Sequence, residues 1–425
     1  MEMGLASRFP VAFPAGGGKS TQLAFSFDRK KQRGRRVLGY KQFSKLGIFL
    51  LMLVMIASMA TGCGSSASKD IKIGLVYELT GGTATFGSAA SNGAKLAVKE
   101  INAKGGVLGK QLQLVSADNK SEPSESANAM TKVITQDKVV AVTGFTTSSN
   151  AIAGSSVSEA SKIPFITAAA TNPKVTVDEK TGKVKEYTFR VCFIDPFQGT
   201  VGANFALNSL KVKQVAVMID NSSDYSKGLA KFFTDAFTKG GGKILAEEAY
   251  LQKDQDFKTV LTKIKALNPE MIYVPGYYEE VGKIAKQARE LGITVPILGG
   301  DGWDSPKLIE IGGEAMNNTY FTNHYSVEDT SPASKTFVDA YKKEYGQVPD
   351  AMAVLGYDAM YVMVDAIKRA NSAEPDKIRE AIAATKDYKG VTGDLTMNAT
   401  HDAVKSAVII EIKNGKQVYK ETVKP

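Results

Sequence analysis

Ile71-Lys72-Ile73-Gly74-Leu75-Val76-Tyr77 reads as a buried strand, and Gly87–Lys104 behind it places Ala90, Ala94, Leu96, Ala97, Val98 and Ile101 on one side of a helix. The alternation continues. Gln111–Ser116 is a strand, Ser124–Thr135 a helix, Val139–Gly144 a strand, Ser149–Ala160 a helix and Pro164–Thr167 a strand. Repeated strand–helix–strand units are the signature of a doubly wound parallel sheet. After Arg190 the pattern restarts with helix Gly199–Leu210, strand Val215–Asp220 and helix Lys227–Lys239, ended by Gly240-Gly241-Gly242. Strand Lys243–Tyr250, helix Phe257–Leu267, strand Met271–Val274, helix Glu279–Leu291 and strand Pro296–Leu298 follow. Two α/β halves in succession imply two lobes.

The helical stretches Ser331–Tyr345, Ala351–Ala370 and Pro375–Thr385 have no sheet of their own to cover. They are expected to return to the first lobe, and strand Val408–Lys413 to the second. The predicted fold class is therefore α/β, two doubly wound parallel-sheet lobes joined by a multi-crossover hinge. Lobe 1 takes residues 70–190 and 325–392, and lobe 2 takes 191–324 and 393–425. Hinge strands are expected near Arg190–Phe193, Asn323–Tyr325 and Gly390–Met397, where the lobes close on a ligand.

The net charge of +9 over 425 residues invites a nucleic-acid reading, but its location argues against one. Ten Lys/Arg and two acids lie in residues 1–63, which leaves 43 bases against 42 acids in the rest. The folded part is almost neutral, so no basic surface tracks phosphates and no nucleic-acid partner is expected. The basic leader runs into Leu46–Ala60, a 15-residue uncharged stretch. A spanning helix needs about 20 apolar residues. Cations, a short apolar core and then small residues make a secretory signal, with an uncleaved anchor as the plainer alternative. Gly16-Gly17-Gly18-Lys19-Ser20-Thr21 looks like a phosphate loop, but Phe13 stands where that motif needs Gly and no strand precedes it. Arg35-Arg36 has flanks unlike a twin-arginine signal, and residues 1–40 receive no function.

The leader ends in Ala60-Thr61-Gly62-Cys63-Gly64-Ser65-Ser66, which resembles the lipobox of bacterial lipoproteins, with Ala60 where Leu is usual. The resemblance implies lipid on Cys63, residues 64–69 as a flexible tether and a body held at the outer face of the cell membrane. Cys192 then has no partner for an intrachain disulfide, and a buried apolar thiol is its expected state. The two histidines, His324 and His401, stand in no nucleophile or metal motif and are expected at the surface or near the hinge. With no G-x-S-x-G elbow and no His/Cys cluster, neither catalysis, nor a metal, nor a cofactor is expected.

In open parallel sheets ligands sit beyond the carboxyl ends of strands. In the first half those positions carry Leu79–Gly87, Gly144–Asn150 and Ala168-Ala169-Ala170-Thr171-Asn172-Pro173, rich in hydroxyls and helix starts that suit an anion. In the second half they carry Asp220–Tyr225, Pro275-Gly276-Tyr277-Tyr278 and Gly299-Gly300-Asp301-Gly302-Trp303-Asp304, carboxylates and aromatics that suit a cation and an apolar group. A cleft so lined is complementary to a zwitterion such as an α-amino acid.

The stretch Ile101-Asn102-Ala103-Lys104-Gly105-Gly106-Val107-Leu108-Gly109, followed by Asp118 and Pro123, resembles the branched-chain amino acid binding proteins of bacterial ABC transporters, and the loops above fall where that family has its ligand loops. The resemblance covers residues 70–425. It implies that Ser148, Thr171 and the backbone at Ala169 hold the ligand carboxylate, with Thr147 beside them, and that Asp301 pairs with the ammonium group, where the family usually has Glu. Tyr225 would close from the second lobe, Tyr277 would lie near the ligand and Phe86 would line the side-chain pocket; Trp303 has no clear family counterpart. The family disulfide is absent. Plainer roles exist for each: Ser148 and Thr171 as helix caps, Asp301 as a turn residue, the aromatics as core. The implied function is a monomeric solute-binding lipoprotein that hands an apolar amino acid to ABC permease subunits. The alternatives are a sensory module of the same fold, or binding of an amide, urea or aromatic acid.

Overall fold

The computed structural model describes residues 70–425; the expected signal segment, Cys63 and the expected tether lie outside the described residues. Strands β1 (Ile71–Tyr77), β2 (Leu112–Asp118), β3 (Ala141–Gly144), β4 (Phe165–Thr167) and β5 (Thr188–Arg190) form one all-parallel sheet in the order β2-β1-β3-β4-β5. Their burial is nearly continuous along β1, β3, β4 and β5, as expected when helices cover both faces. The second sheet holds β6 (Gln214–Asp220), β7 (Lys243–Tyr250), β8 (Met271–Tyr273), β9 (Ile297–Gly299) and β10 (Thr319–Asn323) in parallel. A small antiparallel sheet follows: β11 (Tyr388–Gly390), β12 (Gly393–Met397) and β13 (Ala403–Val404). Then β14 (Ala407–Lys413) and β15 (Lys416–Val423) join the second sheet antiparallel, giving β15-β14-β10-β9-β8-β6-β7.

Two details depart from the sequence reading. The second sheet is mixed at one edge rather than wholly parallel, because a hairpin needs no crossover helix. Gly393–Val404 belongs to the small sheet, and the chain joins the second sheet only at Ala407.

The covering helices are α1 (Ala84–Ala103), α2 (Pro123–Thr135), α3 (Ser148–Ser161), α4 (Asp195–Asn204), α5 (Asp224–Lys239), α6 (Lys258–Ala266), α7 (Tyr278–Glu290), α8 (Pro306–Gly312), α9 (Pro332–Tyr345), α10 (Ala351–Ala370) and α11 (Pro375–Ala383). A π-turn, Phe205–Ser209, extends α4. Helix α10 crosses α1 with the backbones touching: a Cβ on Gly93 would lie 1.9 Å from the Ala353 carbonyl, and one on Gly356 would lie 2.1 Å from that of Ala90. These neighbours are backbone and cannot swing aside. Gly356→Ala is therefore expected to destabilise the protein by ~1–3 kcal/mol, measured as a lowered urea midpoint. An unchanged midpoint would mean that the two helices can part at no cost.

Three segments connect the lobes: Val191–Ile194 after β5, the stretch from His324 after β10, and Lys405-Ser406 before β14. Cys192 lies in the first, fully buried, and burial pushes its thiol up to about 12. It is an inert apolar filler. Lys405 lies in the third, also buried, with its ammonium on the Val191 carbonyl and the Thr392 hydroxyl. A cation thus ties the first and third segments together.

Candidate ligand-binding cleft

The first wall is built on a carboxylate that sequence reasoning missed. Glu78, directly after β1, is fully buried. It accepts from the Thr146 amide and hydroxyl at 3.0 and 2.8 Å, from the Thr147 hydroxyl at 3.1 Å and from Asn150 Nδ2 at 3.0 Å. One anion therefore pins the whole turn between β3 and α3. Thr147, the N-cap residue, spends its side chain on Glu78 and makes no side-chain cap bond. The start of α3 lines the cleft between the lobes through Thr147, Ser149 and Asn150. Ser148 opens that helix; its Oγ accepts from the Asn172 amide at 3.2 Å, which brings the β3 and β4 loops together. Thr171 is buried beside it, with its hydroxyl unpartnered. Neither side chain caps a helix, so the plainer reading of this pair fails. Ala169, also buried, completes the loop.

Arg190 is the second missed residue. Its guanidinium is completely buried at the end of β5, with NH1 on the Ala170 carbonyl at 2.7 Å and NH2 on the Asn172 carbonyl at 2.9 Å. Nε sits 2.6 Å from Asp402 Oδ1. Asp402 in turn accepts from the Thr176 and Thr400 hydroxyls. The Ala169–Asn172 loop is thus held from below by a buried ion pair.

The second wall centres on Asp301, which is buried. Its Oδ1 accepts from Tyr225 OH at 2.9 Å and Gln198 Nε2 at 2.7 Å, and its Oδ2 lies 3.0 Å from His324 Nε2. A turn residue would face water; this one does not. Burial lowers the His324 pKa, more than Asp301 raises it. The ring is therefore neutral, donates from Nε2 and leaves Nδ1 bare, stacked 3.7 Å from the Phe193 ring. The expectation of a surface histidine is corrected for both: His401 is partly buried, with Nδ1 at 3.0 Å from the Lys185 carbonyl. Both do lie beside the connecting segments.

Tyr225 and Tyr277 stack at 5.2 Å, and Phe86 meets Tyr277 and Tyr278 edge-on at 6.0 and 4.8 Å. These aromatics come from opposite lobes and form one apolar cluster. Trp303 does not join it. The indole is fully buried beneath the loop, donates to the Val274 carbonyl at 3.0 Å and covers Gly299, where a Cβ would come within 2.1 Å of the ring. The indole shares the Val274 carbonyl with the Gly276 amide, which donates to it at 2.9 Å, so Trp303 supports the Gly299–Asp304 loop from inside lobe 2 and is no wall of the cleft.

The lobes meet directly. Ser149 Oγ lies 3.0 Å from Asp224 Oδ2, Asn172 Nδ2 donates to the Asp224 carbonyl at 2.8 Å, Thr85 Oγ1 lies 3.0 Å from Ser305 Oγ, and Tyr278 OH donates to the Gly82 carbonyl at 3.0 Å. Outside these contacts a cleft of about 310 Å³ opens, lined by Thr83, Thr147, Ser149, Ser223 and Tyr277. The geometry brings Ser148, Ala169 and Thr171 to one wall and Tyr225, Tyr277 and Asp301 to the other, with Phe86 at their junction. A helix start opposite a buried carboxylate, between lobes joined three times, defines a two-lobed ligand-binding protein.

The comparisons place it further. The periplasmic binding protein family model matches residues 70–417, and the chain belongs to that family, with the type I fold. A Leu/Ile/Val-binding protein of Rhizobium johnstonii is 36% identical over 359 residues, covering 81% of this chain and 94% of its own. The leucine-binding protein LivK of Thermotoga maritima is 41% identical with a TM-score of 0.79, over 84% of this chain and 99% of that one. LivJ of Streptococcus pneumoniae, solved in complex with isoleucine, is 40% identical with the same TM-score of 0.79, over 84% and 100%.

Proposed function

We propose that this protein is the extracytoplasmic solute-binding component of an ABC importer, and that it captures a branched-chain or similar apolar L-amino acid between its lobes. The observation that carries the reading is the opposition of two walls. Ser148, Thr171 and the α3 start offer donors for a carboxylate, while Asp301 faces them with a negative charge for an ammonium group. Phe86 and Tyr277 give the side chain an apolar seat. Relatives named for leucine, isoleucine and valine support the choice of side chain.

Among the described residues no helix is long and apolar enough to cross a membrane. Attachment through lipid on Cys63, delivery to permease subunits and a monomeric state complete the proposal. The ligand is expected to close the lobes about the three connecting segments, a reading supported by the close approach of Asn172 to Gly228, where a Cβ would lie 2.5 Å from Nδ2. A thermal-shift panel of the twenty amino acids tests the reading. Leucine, isoleucine and valine are expected to raise Tm with the logarithm of concentration, and the best of them to contract the solution scattering radius. No shift with any of the twenty would sink it, and a shift without contraction would remove lobe closure alone.

A further inference from the structure

Asp304 stands in the loop after β9 of the second sheet, whereas α10 packs on α1 and β3 of the first. The two are nevertheless bonded to each other. The Asp304 side chain is buried, and three donors reach its carboxylate. Gln417 Nε2 lies 2.7 Å from Oδ1, and Asn323 Nδ2 lies 3.0 Å from Oδ2; both come from strands of the second sheet. The third donor is the amide of Ala351, the first residue of α10, at 2.8 Å from Oδ2. A carboxylate carried by one sheet therefore sits on the first turn of a 20-residue helix that covers the other.

That turn already holds an acid. Asp350 is the N-cap of α10, and its Oδ1 accepts from the Ala353 amide at 2.9 Å. A helix start carries roughly half a positive charge, which favours one carboxylate. Two on the same turn repel. Burial, and after it the charge on Asp304, push Asp350 up to about 8. Tyr341 on α9 faces Asp350 as well, and burial followed by that charge raises its hydroxyl to about 12. Lys416, exposed on β15, is the cation lining the cavity of about 740 Å³ beside the pair. His324 and Tyr325, in the second connecting segment, face Asp304. Of the two carboxyls Asp350 is the better seat for a proton, since Asp304 is held by donors from three elements and Asp350 by amides of its own helix.

We infer that closing the lobes drives one proton from solvent onto Asp350, so that capture of the ligand is coupled to proton uptake. This rests on the lobe closure proposed above. Separated lobes carry Asp304 away from α10 and leave Asp350 alone on its helix start, where a lone acid ionises readily. Asp350 then binds its proton more tightly in the closed form than in the open one. Capture therefore strengthens as pH falls from about 8 toward the ordinary carboxyl range near 4, and weakens as pH rises.

Calorimetry with L-leucine in buffers of different ionisation heat counts the protons taken up on binding. At about pH 6 the wild type is expected to take up about one per leucine, and Asp350→Asn about none, because the amide keeps a cap acceptor but cannot titrate. From about pH 6 to about pH 8 the wild-type Kd should rise about tenfold or more, while that of the variant stays within about threefold. Asp350→Ser, also a good cap, serves if the amide does not fold. Every other titrating group of the cleft is present in both proteins, so their difference reports Asp350 alone. Equal proton counts in wild type and variant, with the scattering radius still contracting on leucine, overturn this inference and leave closure standing. Binding without contraction removes closure and this inference together, and a wild type that binds no amino acid overturns the functional reading as well.

Discussion

Asp301→Ala is expected to weaken leucine binding by ~2–5 kcal/mol, because on the proposed reading the ammonium group would be buried opposite an anion that is no longer there. In affinity this is roughly thirtyfold to several-thousandfold. The variant also strands donors on Tyr225, Gln198 and His324, which all point at the missing oxygens. A fall in Tm should therefore accompany the loss. Asp301→Asn separates the two effects, since the amide keeps one acceptor for Tyr225 or Gln198 while removing the charge. Calorimetry on both variants decides the ligand class. If the natural ligand were an amide, a urea or an aromatic acid, neither variant would lose much affinity, and for an anionic aromatic acid the loss of Asp301 would help.

The second large effect is on stability. Arg190→Met leaves Asp402 as a buried anion stripped of its cation, and the carbonyls of Ala170 and Asn172 lose their donors. Removing one partner of a buried pair costs ~3–5 kcal/mol, well beyond what the methionine side chain recovers by apolar packing. Denaturant unfolding should show a clear drop in midpoint, partly reversed by adding Asp402→Asn. A midpoint within error of the wild type would show that the pair contributes nothing net. Because the same guanidinium holds the Ala169–Asn172 loop, leucine affinity should fall in the single variant even where the protein remains folded.

The fold was legible wherever the chain is long, apolar and periodic. The boundaries read for Ile71–Tyr77, Lys243–Tyr250 and Ala351–Ala370 coincide with those observed. What escaped was short or half-polar: β10, the small sheet around Gly393–Met397 and the edge strand Lys416–Val423, whose burial alternates without a strong apolar run. Such strands take their form from neighbours, not from their own composition. At the site, hydroxyls and acids at strand ends pointed to the loops, and the family resemblance singled out Ser148, Thr171 and Asp301 within them. Direction was the missing information. Trp303 sits in a ligand loop but turns inward, and Glu78 follows a strand as an outward acid would, yet it folds beneath the next loop. Gln198 and His324 reach Asp301 from 103 and 23 residues away in sequence, a proximity no local pattern encodes.

Glu78 has a consequence for anyone wishing to redesign this molecule. Its bonds to Thr146, Thr147 and Asn150 lie entirely within one lobe, so on the proposed reading the frame that would meet a ligand's main chain is set before the ligand arrives. The proposed side-chain seat would be assembled separately, where Phe86 meets Tyr277 and Tyr278 across the gap. The molecule is thus modular in the engineer's sense. A sensor for a different amino acid can be sought by varying that aromatic trio alone, with the Glu78 cradle kept as a fixed reference that every library member inherits.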